Sequence, residues 1–213
     1  MLEFNEYIKI LTALTAIVNP IGAIPVFLNI TREHTAAERK KSLKTTMVTV
    51  VIVLLVVMFL GKPILTFFGI SVASFRVGGG ILILFMALGM LQGRDSRVKQ
   101  NREESQVLEE KQIAGVVPLA IPILAGPGAI SSTILYSEQA QGFNHFLFLS
   151  IIILAVSAIV FTILSLAPRI SVLLGKIGIN IVTRIMGLIM MAISVEFITK
   201  GLATLLPGLA TFH

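Results

Sequence analysis

Apolar residues in this chain run in long unbroken blocks, neither alternating nor confined to one helical face. Six blocks stand out, at roughly Tyr7–Ile30, Leu43–Leu60, Phe75–Leu91, Ile113–Tyr136, Phe146–Ala167 and Ile179–Thr199. About 20 consecutive apolar residues suffice for a helix to cross the hydrocarbon core of a bilayer. Each block therefore predicts a transmembrane helix. Pro63 and Pro168 fall where the second and fifth helices should stop, because proline lacks the amide that continues a helix. The expected fold class is all-α integral membrane, with six transmembrane helices.

Composition strengthens this picture. Hydrophobic residues make up 55% of the 213 positions and charged residues only 13%, whereas a soluble domain carries about 25% charged residues. A formal net charge of +6 invites a nucleic-acid partner, but the basic residues fall in short loops between the apolar blocks. Membrane lipid is the expected partner and nucleic acid is not. The first block follows Glu3, Glu6 and Lys9, without a basic leader or a small-residue cleavage site, so it reads as a spanning helix and not a signal peptide.

Lysine and arginine in short loops set orientation. Arg32, Arg39, Lys40, Lys41 and Lys44 follow the first block; Arg94, Arg97, Lys99, Arg102 and Lys111 follow the third; Arg169 and Lys176 follow the fifth. The opposite side holds Lys9, Arg76, Lys62 and Lys200. Twelve against four predicts cytoplasmic exits for the odd-numbered helices and two periplasmic termini.

The two halves of the chain resemble each other. Arg76, Gly79 and Gly93 recur as Arg184, Gly187 and Gly201, with spacings of three and then fourteen residues in both sets. Gly69-Ile70 precedes the first set and Gly178-Ile179 the second. A Gly-Ala-Ile triplet begins at Gly22 and again at Gly128, beside Pro20 and Pro127 respectively. Each half, about 1–93 and 113–213 around a cytoplasmic linker 94–112, contains three predicted helices. An odd number of crossings reverses the chain, so the halves should be inverted repeats, an architecture common among transporters.

Each half also breaks its first helix. Asn19-Pro-Ile-Gly-Ala-Ile-Pro25 lies inside the first block, and Pro118 to Gly128, with Pro122, Gly126 and Pro127, lies inside the fourth. Proline removes a donor and glycine tolerates unwound dihedrals. A backbone group freed in hydrocarbon must be satisfied by protein or by a wet cavity. Helices one and four are thus expected to be broken near the midplane, and their exposed ends suit a small polar solute. The substrate-binding candidates are Thr15, Asn19, Pro20, Gly22, Gly126, Pro127, Gly128 and Ser131, with Ser132 and Thr133 nearby. Kinks that serve only packing are the alternative; their occurrence at corresponding positions of both halves favours a site.

Three ionisable residues lie at or near membrane depth, where charge is expensive and usually paired or functional. Arg76, Arg184 and Glu196 are the ion-pair or coupling candidates, and an Arg76–Glu196 pair is the favoured arrangement. Arginine snorkelling to the interface is the competing account. Other chemistry is thin. There is no cysteine, so disulfides, thiolate metal sites and cysteine nucleophiles are out. His34, His145 and His213 have no metal-ligand companions at regular spacing, and no cofactor is expected. Gly78-Gly-Gly80 lacks the lysine of a phosphate loop and is expected to let helices approach closely. A membrane enzyme would need a cluster around Glu196 that the sequence does not supply.

The motifs Asn19-Pro20-Ile21-Gly22 with Pro25, Val117-Pro118-Leu119-Ala120 with Pro122, Ala125-Gly126-Pro127-Gly128-Ala129-Ile130 and Arg184-Ile-Met-Gly187 resemble those of the MarC family over essentially the whole chain. That family is itself distantly similar to LysE-type exporters. The resemblance implies a protein of the bacterial inner membrane that moves small neutral amino acids, export included; the paired breaks are what suggest alternating access. It supplies no catalytic residues. A transporter of another small polar solute and a non-transporting membrane scaffold remain as alternatives, and a homo-oligomer is compatible with the sequence.

Overall fold

A computed structural model describes residues 2–92, 124–139 and 142–207. The linker 94–112, with its five basic residues, and the first part of the fourth block, with Pro118 and Pro122, lie outside the described residues, as does Gly93.

The first apolar block folds as two helices, α1 (Phe4–Val18) and α2 (Ile24–Ile30). Asn19 ends α1 in the left-handed conformation, φ 49° and ψ 66°, a region that asparagine tolerates because its short side chain bonds locally. Pro20 cannot donate to the Ala16 carbonyl, so helix cannot continue. Pro25 sits in the first turn of α2, where its missing amide has no helical partner to lose.

Helix α3 spans Ala36–Phe67 and opens on a capping box. The Thr35 hydroxyl accepts from the Glu38 amide at 3.3 Å, and the Glu38 carboxylate accepts from the Thr35 amide at 2.7 Å. At about 1.5 Å per residue, its 32 residues rise about 48 Å, more than a hydrocarbon core of about 30 Å requires. The expected bounds of Leu43–Leu60 were therefore too tight: the capping box and the four basic residues after it belong to the same helix. Pro63 does not stop it. Placed in the last turns, it removes one bond, to the Phe59 carbonyl, and the helix runs on to Phe67.

Helix α4 (Val72–Leu91) is capped by the Ser71 hydroxyl, which accepts from the Ser74 amide at 3.0 Å. Helix α5 (Pro127–Ser137) begins at Gly126, and α6 covers Phe143–Ser165. Helix α7 covers Ala167–Leu205 and is bent at Gly175, φ 60°. Pro168 does mark the end of α6, but by opening α7 at once. Four helices, α3, α4, α6 and α7, are long and apolar enough to cross a membrane. Their outer faces carry Ile52, Phe85, Leu154 and Leu188, each more than half exposed. Apolar surface on that scale needs lipid as its solvent.

The most extensive contact joins α4 to α7. Gly80 abuts Ser194 and Ile198, Gly187 abuts Ala87 and Met90, and Gly201 abuts Ala73 and Val77. As numbers rise along one helix they fall along the other, so the pair is antiparallel. Glycine along this seam lets the backbones close in, as the Gly78–Gly80 run led us to expect, for Gly80; Gly79 faces Ser131 of α5 instead, and Gly78 meets no neighbour. Helix α3 packs on α5 and α6, α1 on α5, α6 and α7, α2 on α7, and α4 on α5.

One end of the bundle gathers the start of α1, the ends of α3, α5 and α7, and the start of α6. Its contacts are Tyr7 with His145, Lys62 with Glu138 at 2.7 Å, Phe59 stacked on Phe146, and Tyr136 edge-on to Phe197. The start of α1 and the end of α7 therefore share a face, and the basic start of α3 lies at the other.

Candidate solute site at the first helix break

The break in α1 leaves acceptors without donors. The Asn19 amide bonds the Thr15 carbonyl at 3.0 Å, and the next backbone bonds are Ala23 to Asn19 and Ile24 to Ile21. Among the described residues, nothing donates to the carbonyls of Ala16, Ile17 or Val18. The Asn19 side chain folds back over the break. Its Oδ1 accepts from the Gly22 amide at 3.2 Å, and its Nδ2 faces Met90 Sδ at 3.8 Å. A Cβ at Gly22 would push the Asn19 side chain out of this position.

Thr15, Asn19 and Pro20 line a cavity of about 590 Å³ between α1, α6 and α7. Leu11, Thr12, Ala13, Ala16 and Ile21 complete the α1 side, Ile159 and Ile163 come from α6, and Met186, Ile189 and Ile193 from α7. Thr15 donates its hydroxyl to the Leu11 carbonyl at 2.7 Å, and Thr12 to the Lys9 carbonyl at 3.0 Å. Both hydroxyls therefore offer the cavity only lone pairs. Asn19, whose Nδ2 is a donor, shares the lining, so the small polar part of this space offers acceptors and a donor together.

The other predicted site residues stand apart from that lining. Gly126 is the buried N-cap of α5, and Pro127 its exposed first residue. The first bond of α5 runs from the Ile130 amide to the Gly126 carbonyl, so the Gly128 and Ala129 amides have no backbone partner among the described residues. Gly128 lies against Ile17, Ile83 and Met86, which sets the N-terminus of α5 directly beside the broken end of α1. Ser131 packs against Gly79, Thr133 bonds the Ala129 carbonyl at 2.8 Å, and the Ser132 hydroxyl is buried without a partner among the described residues. The fold thus joins the two motifs through Ile17 and Gly128, not through a shared polar lining.

The expected Arg76–Glu196 pair does not form. Glu196 bonds Lys200 at 2.7 Å, one turn along α7, and both side chains are more than half exposed. A neighbour on the same helix reaches the carboxylate without crossing to α4. No carboxylate stands within ion-pair distance of Arg76 or Arg184 among the described residues, and neither arginine lines the cavity.

Two features escaped the sequence. The α6 and α7 walls of the cavity carry no motif. His145, one residue before the fifth block, is buried at the junction of three helices: its Nε2 donates to the Tyr136 carbonyl at 2.9 Å, and its Nδ1 accepts from the Tyr7 hydroxyl at 3.0 Å. The Tyr136 carbonyl can only accept, which fixes the neutral tautomer.

Residues 4–206 match the family described as MarC family integral membrane protein. The chain belongs to the MarC family. Its relatives include the UPF0056 membrane protein YhcE of Escherichia coli (strain K12), 41% identical over 97% of this chain and 96% of the relative. The UPF0056 membrane protein YvbG of Bacillus subtilis (strain 168) is 35% identical over 98% and 99%. The archaeal UPF0056 membrane protein MJ1677 of Methanocaldococcus jannaschii is 35% identical over 94% and 98%. No solved structure matches the chain. Membership of the MarC family and the four long apolar helices agree on an integral, multi-pass membrane protein.

Proposed function

We propose that this MarC-family chain is a secondary transporter, and not an enzyme, that carries small neutral amino acids out across the bacterial inner membrane by alternating access. The observation that carries the proposal is the break in α1. Among the described residues, three carbonyls at the end of α1 have no donor, Ala16 of them in the cavity lining, and the N-terminus of α5, with two amides that have no backbone partner among those residues, abuts Ile17. A carbonyl-rich helix end attracts an ammonium, and an amide-rich helix start attracts a carboxylate. A zwitterion needs both.

The six-span inverted repeat belongs to this proposal. The packing supports it: α3 meets α5 as α6 meets α1, α4 meets α5 as α7 meets α1 and α2, and the third helices α4 and α7 run antiparallel across their shared glycine seam. Both termini are placed on the periplasmic side, in keeping with the shared face of the α1 start and the α7 end and with the basic loops at the other. Uptake of labelled glycine, alanine, serine and leucine into proteoliposomes preloaded with unlabelled solute tests the proposal. Exchange above empty liposomes, reduced at least tenfold by Asn19→Ala, is expected. No exchange of any amino acid would sink it.

A further inference from the structure

We infer that the end of the bundle opposite the Tyr7–His145 contact is a docking surface for anionic phospholipids, where Arg169 and Lys176 beside the bend in α7 and Lys40, Lys41 and Lys44 at the start of α3 gather the headgroup phosphates. The inference concerns neither the α1 break nor its cavity, and it stands apart from the transport proposal.

The bend turns the start of α7 into an elbow. Gly175, at φ 60°, interrupts the helix that began at Ala167. Before it, Arg169, Val172 and Leu173 share one face, at i, i+3 and i+4; after it come Lys176 and Ile177. Val172, Leu173 and Ile177 are 87%, 85% and 78% exposed, against 58% for the lipid-facing Leu188 further along the same helix. Aliphatic side chains this clear of the bundle, with a guanidinium and an ammonium among them, match the boundary between headgroups and acyl chains. There the methyl groups enter the acyl region and the basic side chains reach back to phosphate.

The start of α3 brings more charge to the same depth. Phe59 stacks on Phe146 where the end of α3 meets the start of α6. Lys40 lies as many residues before Phe59 as Ser165 lies after Phe146, and the elbow follows Ser165 directly. On α3, Lys40, Lys44, Val48 and Ile52 recur every four residues and all are exposed, so these lysines head a lipid-facing stripe.

The pairing of charges separates the two ends. At the other end, Lys9, Lys62 and Lys200 are each bonded to a glutamate. At this end, none of the five basic residues has a carboxylate within ion-pair distance among the described residues, and the nearby Glu38 is engaged by Thr35. Phosphate held in the plane of the membrane is the complementary charge. Each basic residue near an anionic surface is worth about fivefold in affinity.

The chain has no tryptophan, so Leu173→Trp places a single fluorophore at the elbow and Leu188→Trp one on the lipid-facing side of α7. Each is reconstituted in phosphatidylcholine bilayers that contain a minor share of phosphatidylglycerol with brominated, quenching acyl chains. Expected at Leu173→Trp is quenching that corresponds to at least about fivefold enrichment of phosphatidylglycerol over its share of the bilayer, weakened in 1 M salt, where screening acts within about 3 Å. No enrichment is expected at Leu188→Trp. Adding Arg169→Gln with Lys176→Gln, or Lys40→Gln, Lys41→Gln and Lys44→Gln together, should each cut the enrichment at least twofold, while brominated phosphatidylcholine still quenches Leu188→Trp fully and so shows that the variants are inserted. The inference is overturned by an elbow without enrichment, by equal enrichment at both tryptophans, or by enrichment that survives both sets of glutamines. Displacement of phosphatidylglycerol by inorganic phosphate at matched ionic strength overturns it as well, since the surface would then take the free ion.

Discussion

Replacing Gly80 by alanine tests the antiparallel seam on which the bundle is built. A Cβ at Gly80 would stand 2.7 Å from Ile198 Cγ1, 3.0 Å from the Ser194 carbonyl oxygen and 3.1 Å from the Ile198 nitrogen. Two of these are backbone atoms of α7, so no rotamer change clears them; the helices must part by several tenths of an ångström. Overpacking of this kind costs about 1–3 kcal/mol. Gly78, two residues earlier on α4, has nothing within 4 Å of the same added atom. Both substitutions gain the same helix propensity, about 0.8–1.0 kcal/mol for alanine over glycine. The difference between Gly78→Ala and Gly80→Ala therefore isolates the clash, and should be about 1–3 kcal/mol. At roughly 2–4 °C per kcal/mol for a chain of this length, the two unfolding temperatures should separate by at least about 2 °C. The chain has no cysteine for a thiol dye, so the measurement is circular dichroism, or size exclusion after heating, in one detergent. Gly80→Ala unfolding at or above the temperature of Gly78→Ala would refute the seam.

Three further outcomes are expected. Asn19→Ala loses the acceptor for the Gly22 amide, worth about 1–3 kcal/mol if left unsatisfied, and puts alanine in left-handed backbone at about 1–2 kcal/mol; Asn19→Gly should be milder in the same melts. His145→Ala removes two bonds joining α1, α5 and α6 and should destabilise by about 2 kcal/mol or more, with Tyr7→Phe costing less; equal losses would contradict the assigned roles. Pro20→Ala restores an amide opposite the Ala16 carbonyl, which offsets the about 0.4–1 kcal/mol of lost chain rigidity; the unfolding temperature should hold or rise while amino acid exchange falls at least tenfold.

Much of the fold was legible because lipid imposes one-dimensional rules. Four of the six blocks have their apolar centres inside single long helices, the first is split in two, and the α1 break sits at the Asn19-Pro20 step where it was expected. The ends were misjudged where polar residues continued a helix out of the hydrocarbon, as at Thr35–Lys44, or where a proline fell in a last turn, as at Pro63. The site was half legible. Thr15, Asn19 and Pro20 carry their signal locally, since a proline names the carbonyl it deserts four residues earlier. Ile159, Ile163 and Ile189 carry none, because an isoleucine facing a cavity and one facing lipid are written alike. The Glu196 pairing was missed because Lys200, one turn away, was counted as an interface charge and not as its partner.

The deserted carbonyls explain why stability and transport should oppose each other at the break. Left in hydrocarbon, each would cost several kcal/mol, and among the described residues α1 ends in three without a donor: Ala16, Ile17 and Val18. A continuous helix would remove that cost, yet Pro20 forbids it at the one position whose amide would reach Ala16. Asn19 offsets part of the loss by bonding Gly22 but leaves the carbonyls open, and Gly128 holds the start of α5 against Ile17. Under the proposed transport a solute ammonium, or water exchanging with it, would satisfy them, and the local instability of α1 and the affinity for a cationic group would then be the same quantity seen from two sides.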